Sequence, residues 1–145
     1  MFRAAVIYAP AGQPMQSLAE RVAAALDRRR FAVTLKPAAQ AAIPDLSASD
    51  LLLLGAAPKG KAAVHPDFAE LLRALAGINL AGRVAGLFTP AGEATLRALK
   101  RALKDTDIRL EPENLLQADE SQGSKELARW LGLLAGQLES AAHGR

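Results

Sequence analysis

Asp50-Leu51-Leu52-Leu53-Leu54-Gly55 sets four leucines in a row between an acid and a glycine. The run is too short for a core helix and apolar at every position, so it reads as a strand with both faces buried. Arg3 to Tyr8 (RAAVIY) and Arg83 to Phe88 (RVAGLF) have the same character. Strands buried on both faces belong to a parallel sheet with helices on either side, and that requirement constrains the rest of the chain.

The intervening segments supply the helices. From Met15 to about Arg29, Leu18, Val22, Ala25 and Leu26 recur at helical spacing, with Glu20, Arg21, Asp27 and Arg28 mostly on the other side. Pro66 suits a first helical turn, and Phe68, Leu71, Leu72 and Leu75 continue its period. A further helix follows Gly92 and runs to about Lys104, and a last one spans Ser124 to Leu138 with Leu127, Trp130, Leu131 and Leu134 on one side. Phe31 to Leu35 is the second strand. Ala38 to Ser47 is a connection or short helix, and Ile108 to Leu116 holds a final strand interrupted or bent near Pro112. The alternation predicts one α/β domain over residues 1–139, a three-layer doubly wound sheet of five parallel strands, and a mobile tail over residues 140–145.

Composition narrows the chemistry. The chain has 145 residues, 50% hydrophobic and 23% charged, which is globular. No apolar run approaches the ~20 residues of a bilayer span, and the first residues lack the pattern of a secretory signal, so a cytoplasmic protein with no membrane association is expected. There is no cysteine, and His65 and His143 lie far apart, so thiol chemistry and the usual zinc sites are excluded. No nucleophile–base pair stands out, and no catalytic residue is assigned.

In doubly wound sheets, ligands bind beyond the carboxyl ends of the strands where strand order reverses. The relevant loops are Ala9 to Gln16, Ala56 to His65, Thr89 to Glu93 and Ala118 to Gly123. VIY with its Gly-containing loop, SDLLLLGAAPKG, HPDFAELLRAL and LAGRVAGLFTPAG, in this order and spacing, resemble the flavodoxin family over nearly the whole chain. The resemblance implies strand order 2-1-3-4-5, flavin mononucleotide (FMN) as cofactor and electron transfer as activity. In that family the first loop reads approximately Ser/Thr-x-Thr-Gly-Asn/His-Thr and wraps the FMN phosphate with hydroxyls and main-chain N–H groups. Here it reads Ala9-Pro10-Ala11-Gly12-Gln13-Pro14, matching only at Gly12. The hydroxyls are missing, and Pro10 and Pro14 have no N–H to give. The second loop offers no aromatic ring to stack on the flavin, and neither do the third and fourth. Family carriers tend to be acidic, whereas this chain carries +3.

The expected function is therefore a flavodoxin-like domain with lost or much weakened FMN binding, acting as a non-catalytic module for a protein partner or a small anion. The alternative is an FMN-binding electron-transfer protein with an atypical phosphate loop. In either case the cofactor-edge residues are Gly12, Gln13, Gln16, Ser17, Ala57, Pro58, Lys59, Gly60, Thr89 and Gly92, with Lys61 adding charge. A receiver-type phosphorelay domain shares the sheet order but needs acids where this chain has Tyr8-Ala9-Pro10 and Gly55-Ala56. A Rossmann dinucleotide site needs G-x-G-x-x-G after the first strand, and it is absent.

Other signals have plain structural readings. Arg97, Lys100, Arg101 and Lys104 form one helical stripe, read first as the solvated side of an amphipathic helix and second as a docking face for an acidic protein or a nucleic acid. No nucleic-acid motif or interleaved aromatic accompanies it. Arg28-Arg29-Arg30 complements the end of the first helix, and His65 caps the helix starting at Pro66. Gly132 and Gly136 are expected where the last helix approaches the sheet closely.

Overall fold

A computed structural model describes residues 1–90, 92–118 and 123–143. The strands β1 (Phe2–Ala9), β2 (Phe31–Pro37), β3 (Leu51–Ala56), β4 (Val84–Thr89) and β5 (Leu115–Gln117) form one sheet in the order β2-β1-β3-β4-β5. Every pairing is parallel. The helices are α1 (Met15–Ala25), α2 (Ile43–Ser47), α3 (Pro66–Leu75), α4 (Glu93–Ala102) and α5 (Ser124–His143), with short 3-10 turns at Ala38–Gln40 and Pro112–Asn114. This is the flavodoxin-like doubly wound arrangement.

Successive strand residues point to opposite faces, and the two cores divide accordingly. Ala4, Val6, Tyr8, Leu51, Leu53, Val84 and Phe88 pack toward α1 and α5. Ala5, Ile7, Leu52, Leu54, Ala85 and Leu87 pack toward α3 and α4. Leu51 to Leu54 are all fully buried, as the leucine run required. Each leucine side chain removed from water contributes about 1.5–3 kcal/mol, so this one strand anchors both layers.

Helix–sheet contact is close because the sheet supplies the small residues. A β-carbon at Gly86 would sit 2.7 Å from both Leu134 and Leu53 and 3.0 Å from Trp130. One at Gly55 would sit 2.2 Å from the Phe88 ring and 2.7 Å from the Met15 methyl. The expectation for Gly132 and Gly136 is thereby corrected: both are exposed, and a β-carbon at either would meet nothing within 4 Å. The close approach is made by glycines of β3 and β4, not by those of α5.

Two helix ends differ from the sequence pattern, and the last strand is interrupted at Pro112 as expected. α1 stops at Ala25 instead of about Arg29. The Asp27 carboxylate accepts the Arg29 N–H at 2.9 Å, and the Asp27 carbonyl accepts those of Arg30 and Phe31, a turn that competes with the helix. The Arg28 guanidinium folds back onto the Ala23 carbonyl at 3.1 Å, a second donor to an oxygen that the Leu26 N–H already reaches at 3.3 Å, and Arg30 pairs with Glu139 of α5. In the Ile108–Leu116 segment, Arg109 bridges to Val84, the Pro112 turn interrupts the pairing, and β5 resumes at Leu115. That interruption is fixed by Asn114, whose buried amide donates to the Ala85 carbonyl at 2.8 Å and exchanges two hydrogen bonds with Gln137 of α5. α5 itself runs past Leu138 to His143, and residues 144–145 of the expected tail lie outside the described residues.

Candidate functional site

Parallel pairing brings the carboxyl ends of β1, β3 and β4 side by side, with Ala9 opposite Ala56 and Gly55 opposite Phe88. The Ala57 N–H donates to the Ala9 carbonyl at 3.0 Å, and the Ala118 N–H to the Thr89 carbonyl at 2.9 Å. These bonds continue the ladder past the strands and set the loop bases against one another. The loops carrying Gly12, Lys59 and Gly92 thus leave one edge of the sheet. Of the fourth loop, residues 119–122 lie outside the described residues, as does Ala91 in the third.

In the first loop, Ala9–Pro10 and Gln13–Pro14 are cis peptide bonds, and Pro14 precedes α1 as its N-terminal cap. Gln13 turns its side-chain oxygen to the N–H of Ser17, at 3.2 Å, and to the Ser17 hydroxyl. The only hydroxyl of this region is thus spent inside the protein. Gln16 is likewise engaged: its N–H donates to the Gly12 carbonyl at 3.0 Å, and its side chain reaches along the helix to Glu20 at 3.0 Å. The Ser17 hydroxyl proton and one N–H of the Gln16 side-chain amide are therefore committed inside the protein. The N–H groups of Ala11, Gly12, Gln13 and Met15 make no hydrogen bond within the described protein. They stand at a helix start, where the peptide dipoles favour an anion.

The second loop is a tight turn. Lys59 and Ala62 exchange both main-chain hydrogen bonds at 3.0 and 2.9 Å, and Gly60 adopts φ 58°, a conformation in which a β-carbon is strained. Pro58, Lys59, Gly60 and Lys61 are exposed at its tip, while Ala57 is half-buried against the core. The base is pinned by Thr95 of α4, whose buried hydroxyl donates to the Ala63 carbonyl at 2.6 Å. Sequence reasoning missed Thr95, because a threonine in a helix gives no sign of which loop it will hold. His65 caps α3 as expected: its Nδ1 accepts the Asp67 N–H at 3.1 Å. In the third loop Thr89 is fully buried at the end of β4, and exposed Gly92 precedes α4.

The fold implies FMN, and the residues fit it only in part. At the start of α1, main-chain N–H groups and the helix dipole suit an anion, while the one hydroxyl of the first loop is already bonded to Gln13. At the ring end, no aromatic residue occurs in the described parts of the loops. Tyr8, Phe88 and Trp130 are buried in the core beneath them. Among the described residues no cluster of His, Asp and Glu could hold a metal.

No family model matches the sequence, and no curated protein sequence is significantly similar to it. Solved structures are similar in fold. A short-chain flavodoxin associated with a non-canonical PDU bacterial microcompartment superposes with a TM-score of 0.77 at 20% identity, covering 95% of this chain and 99% of its own. A flavodoxin variant of Fusobacterium nucleatum bound to flavin mononucleotide gives 0.77 at 13% identity, covering 94% and 97%. An oxidoreductase of Corynebacterium diphtheriae gives 0.68 at 25% identity, covering 100% and 98%. The class is thereby defined: this is a flavodoxin-like domain. Among its described residues no helix is long and apolar enough to cross a membrane.

Proposed function

We propose that this domain binds FMN weakly or not at all and works in the cytoplasm as a non-catalytic module, holding a small phosphate-bearing anion or a partner protein at the carboxyl edge of its sheet. The observation that carries this reading is the bond pair from Ser17 to Gln13. It consumes the hydroxyl nearest the anion position, in a loop whose two prolines have already removed two N–H donors. An anion there keeps the exposed N–H groups of Ala11, Gly12 and Gln13 and the field of α1, whereas Met15 is fully buried. Lys59 and Lys61 add charge without fixed geometry, as ammonium groups on flexible stems do. A flavin ring gains no stacking, which removes the part of its affinity that exceeds simple burial.

A second reading, an FMN-dependent electron carrier with an atypical phosphate loop, is favoured by those same free N–H groups and by the likeness to an FMN-bound flavodoxin. Fluorescence quenching of FMN by the purified chain separates the two. The first reading expects a dissociation constant no tighter than about micromolar, roughly −8 kcal/mol, and colourless protein. Nanomolar affinity with yellow protein that keeps its flavin on dialysis establishes the second. Lys59→Ala with Lys61→Ala should weaken binding of inorganic phosphate several-fold, and added salt should mimic the loss.

A further inference from the structure

The stripe on α4 does more than face solvent. A groove of about 460 Å³ runs along it, rimmed by Arg97, Lys100, Arg101 and Lys104. Its floor is apolar, formed by Leu103 from the end of α4 and by Ile108 and Leu110, which return beside the helix after Asp107 takes φ 61°. Arg109 between them bridges to Val84, the first residue of β4, so the groove opens toward the amino-terminal end of the sheet, away from the loops discussed above. We propose that this groove docks an acidic, amphipathic segment of a partner protein.

The charge pattern is the first argument. Arg97 and Arg101, like Lys100 and Lys104, are four apart on one helix, and such like-charged pairs repel and destabilise a helix. A helix face that serves only solubility alternates its signs, as the outer sides of α1 with Glu20 and Arg21 and of α3 with Glu70 and Arg73 do. On α4 only Arg97 has an acid nearby, Glu93 at 3.8 Å, and both side chains are well exposed. Asp105 and Asp107 follow in the next turn, yet no carboxylate of the described protein pairs with Lys100, Arg101 or Lys104. The cations are uncompensated.

The floor is the second argument, and it selects the partner. A groove lined by aliphatic side chains between cationic walls matches a chain that presents apolar side chains flanked by carboxylates, the helix-in-groove mode of recognition. A nucleic acid would leave that floor unused, since it binds through phosphates and stacks its bases on aromatic rings, and no aromatic residue lines the groove. Charge at the rim then sets the encounter rate and the apolar contact slows release.

The test uses the full chain, labelled with 15N, and a synthetic peptide of glutamate and leucine in amphipathic helical order. Amide shifts on titration should concentrate in Arg97–Leu110. Binding followed by fluorescence anisotropy should weaken at least about tenfold in Lys100→Glu with Arg101→Glu, whose exposed positions leave the fold intact by circular dichroism. Replacing the peptide's leucines by serine should weaken it at least about fivefold, and Lys59→Ala with Lys61→Ala should leave it unchanged. The proposal is overturned if the peptide does not bind, if shifts spread over every basic surface, or if the serine peptide binds equally well. Tighter binding of oligothymidylate or of phosphatidylglycerol vesicles to the same residues also overturns it.

Discussion

In the middle of the sheet a β-carbon at Gly86 would press into Leu134 and Leu53, whereas on the helix that covers it a β-carbon at Gly132 would meet nothing at all. The two glycines lie in contacting elements and have opposite physical meanings. On the strands, glycine is the absence of a side chain that lets α1 and α5 settle onto β3 and β4. On α5, Gly132 and Gly136 sit in open helix interior and only loosen it, since glycine there costs about 1 kcal/mol relative to alanine. Residue type alone does not reveal which side of a contact gives way. The packing does.

Substitutions sharpen that contrast. Gly55→Ala should have the largest effect, a loss of about 3 kcal/mol in chemical denaturation, because the Phe88 ring beneath it is hemmed in by the core and cannot move aside cheaply. A change below about 0.5 kcal/mol would show that this core is looser than it looks. Gly132→Ala and Gly136→Ala should act in the other direction, each raising stability by about 1 kcal/mol, with the midpoint of thermal unfolding as the check. Loss of stability in either would mean that these positions are occupied by a partner or are needed small.

The smallest effect belongs to Asp45, whose carboxyl is held below its ordinary value of 3.8 by the hydrogen bond from the Lys36 ammonium at 2.9 Å and then by that from the Ala42 N–H. A depressed carboxyl contributes stability above its unfolded value and loses it as the pH falls through the lower folded value. Asp45→Asn should therefore cost about 0.5 kcal/mol at neutral pH, the modest worth of a half-exposed pair. The gap from the unsubstituted protein should begin to close near pH 4 and vanish in more acid solution. A difference that persists there would assign the loss to the α2 turn, not to charge.

Most of the sheet was legible in the sequence because burial on both faces leaves a run such as Leu51 to Leu54 no other home. Val6, Ile7, Leu52, Leu53, Val84, Leu87 and Phe88 are all fully buried, as that reading required. Element ends were less legible, since α1 is stopped by the side chain of Asp27, a local competitor that apolar spacing does not register. That the loops after β1, β3 and β4 leave the same edge of the sheet was legible through the topology, but their hydrogen bonds were not. Nothing in Gln13 and Ser17 as letters says that they satisfy each other. The groove on α4 was half visible: its cations form a stripe in the sequence, but its floor exists only because Ile108 and Leu110 come back beside the helix.

The sheet's two outer strands have a consequence for how this protein behaves in a crowded solution. β2 leaves one row of main-chain groups without a neighbouring strand, and its outer residues Thr34 and Leu35 are exposed, a template on which another chain could extend the sheet. Lys36 and Pro37 end that row with a charge and a residue that has no N–H to donate. At the opposite border β5 is only three residues long. Each border is thus blunted by its own means, one by chemistry and the other by brevity, and both disfavour the pairing of a further strand onto the sheet.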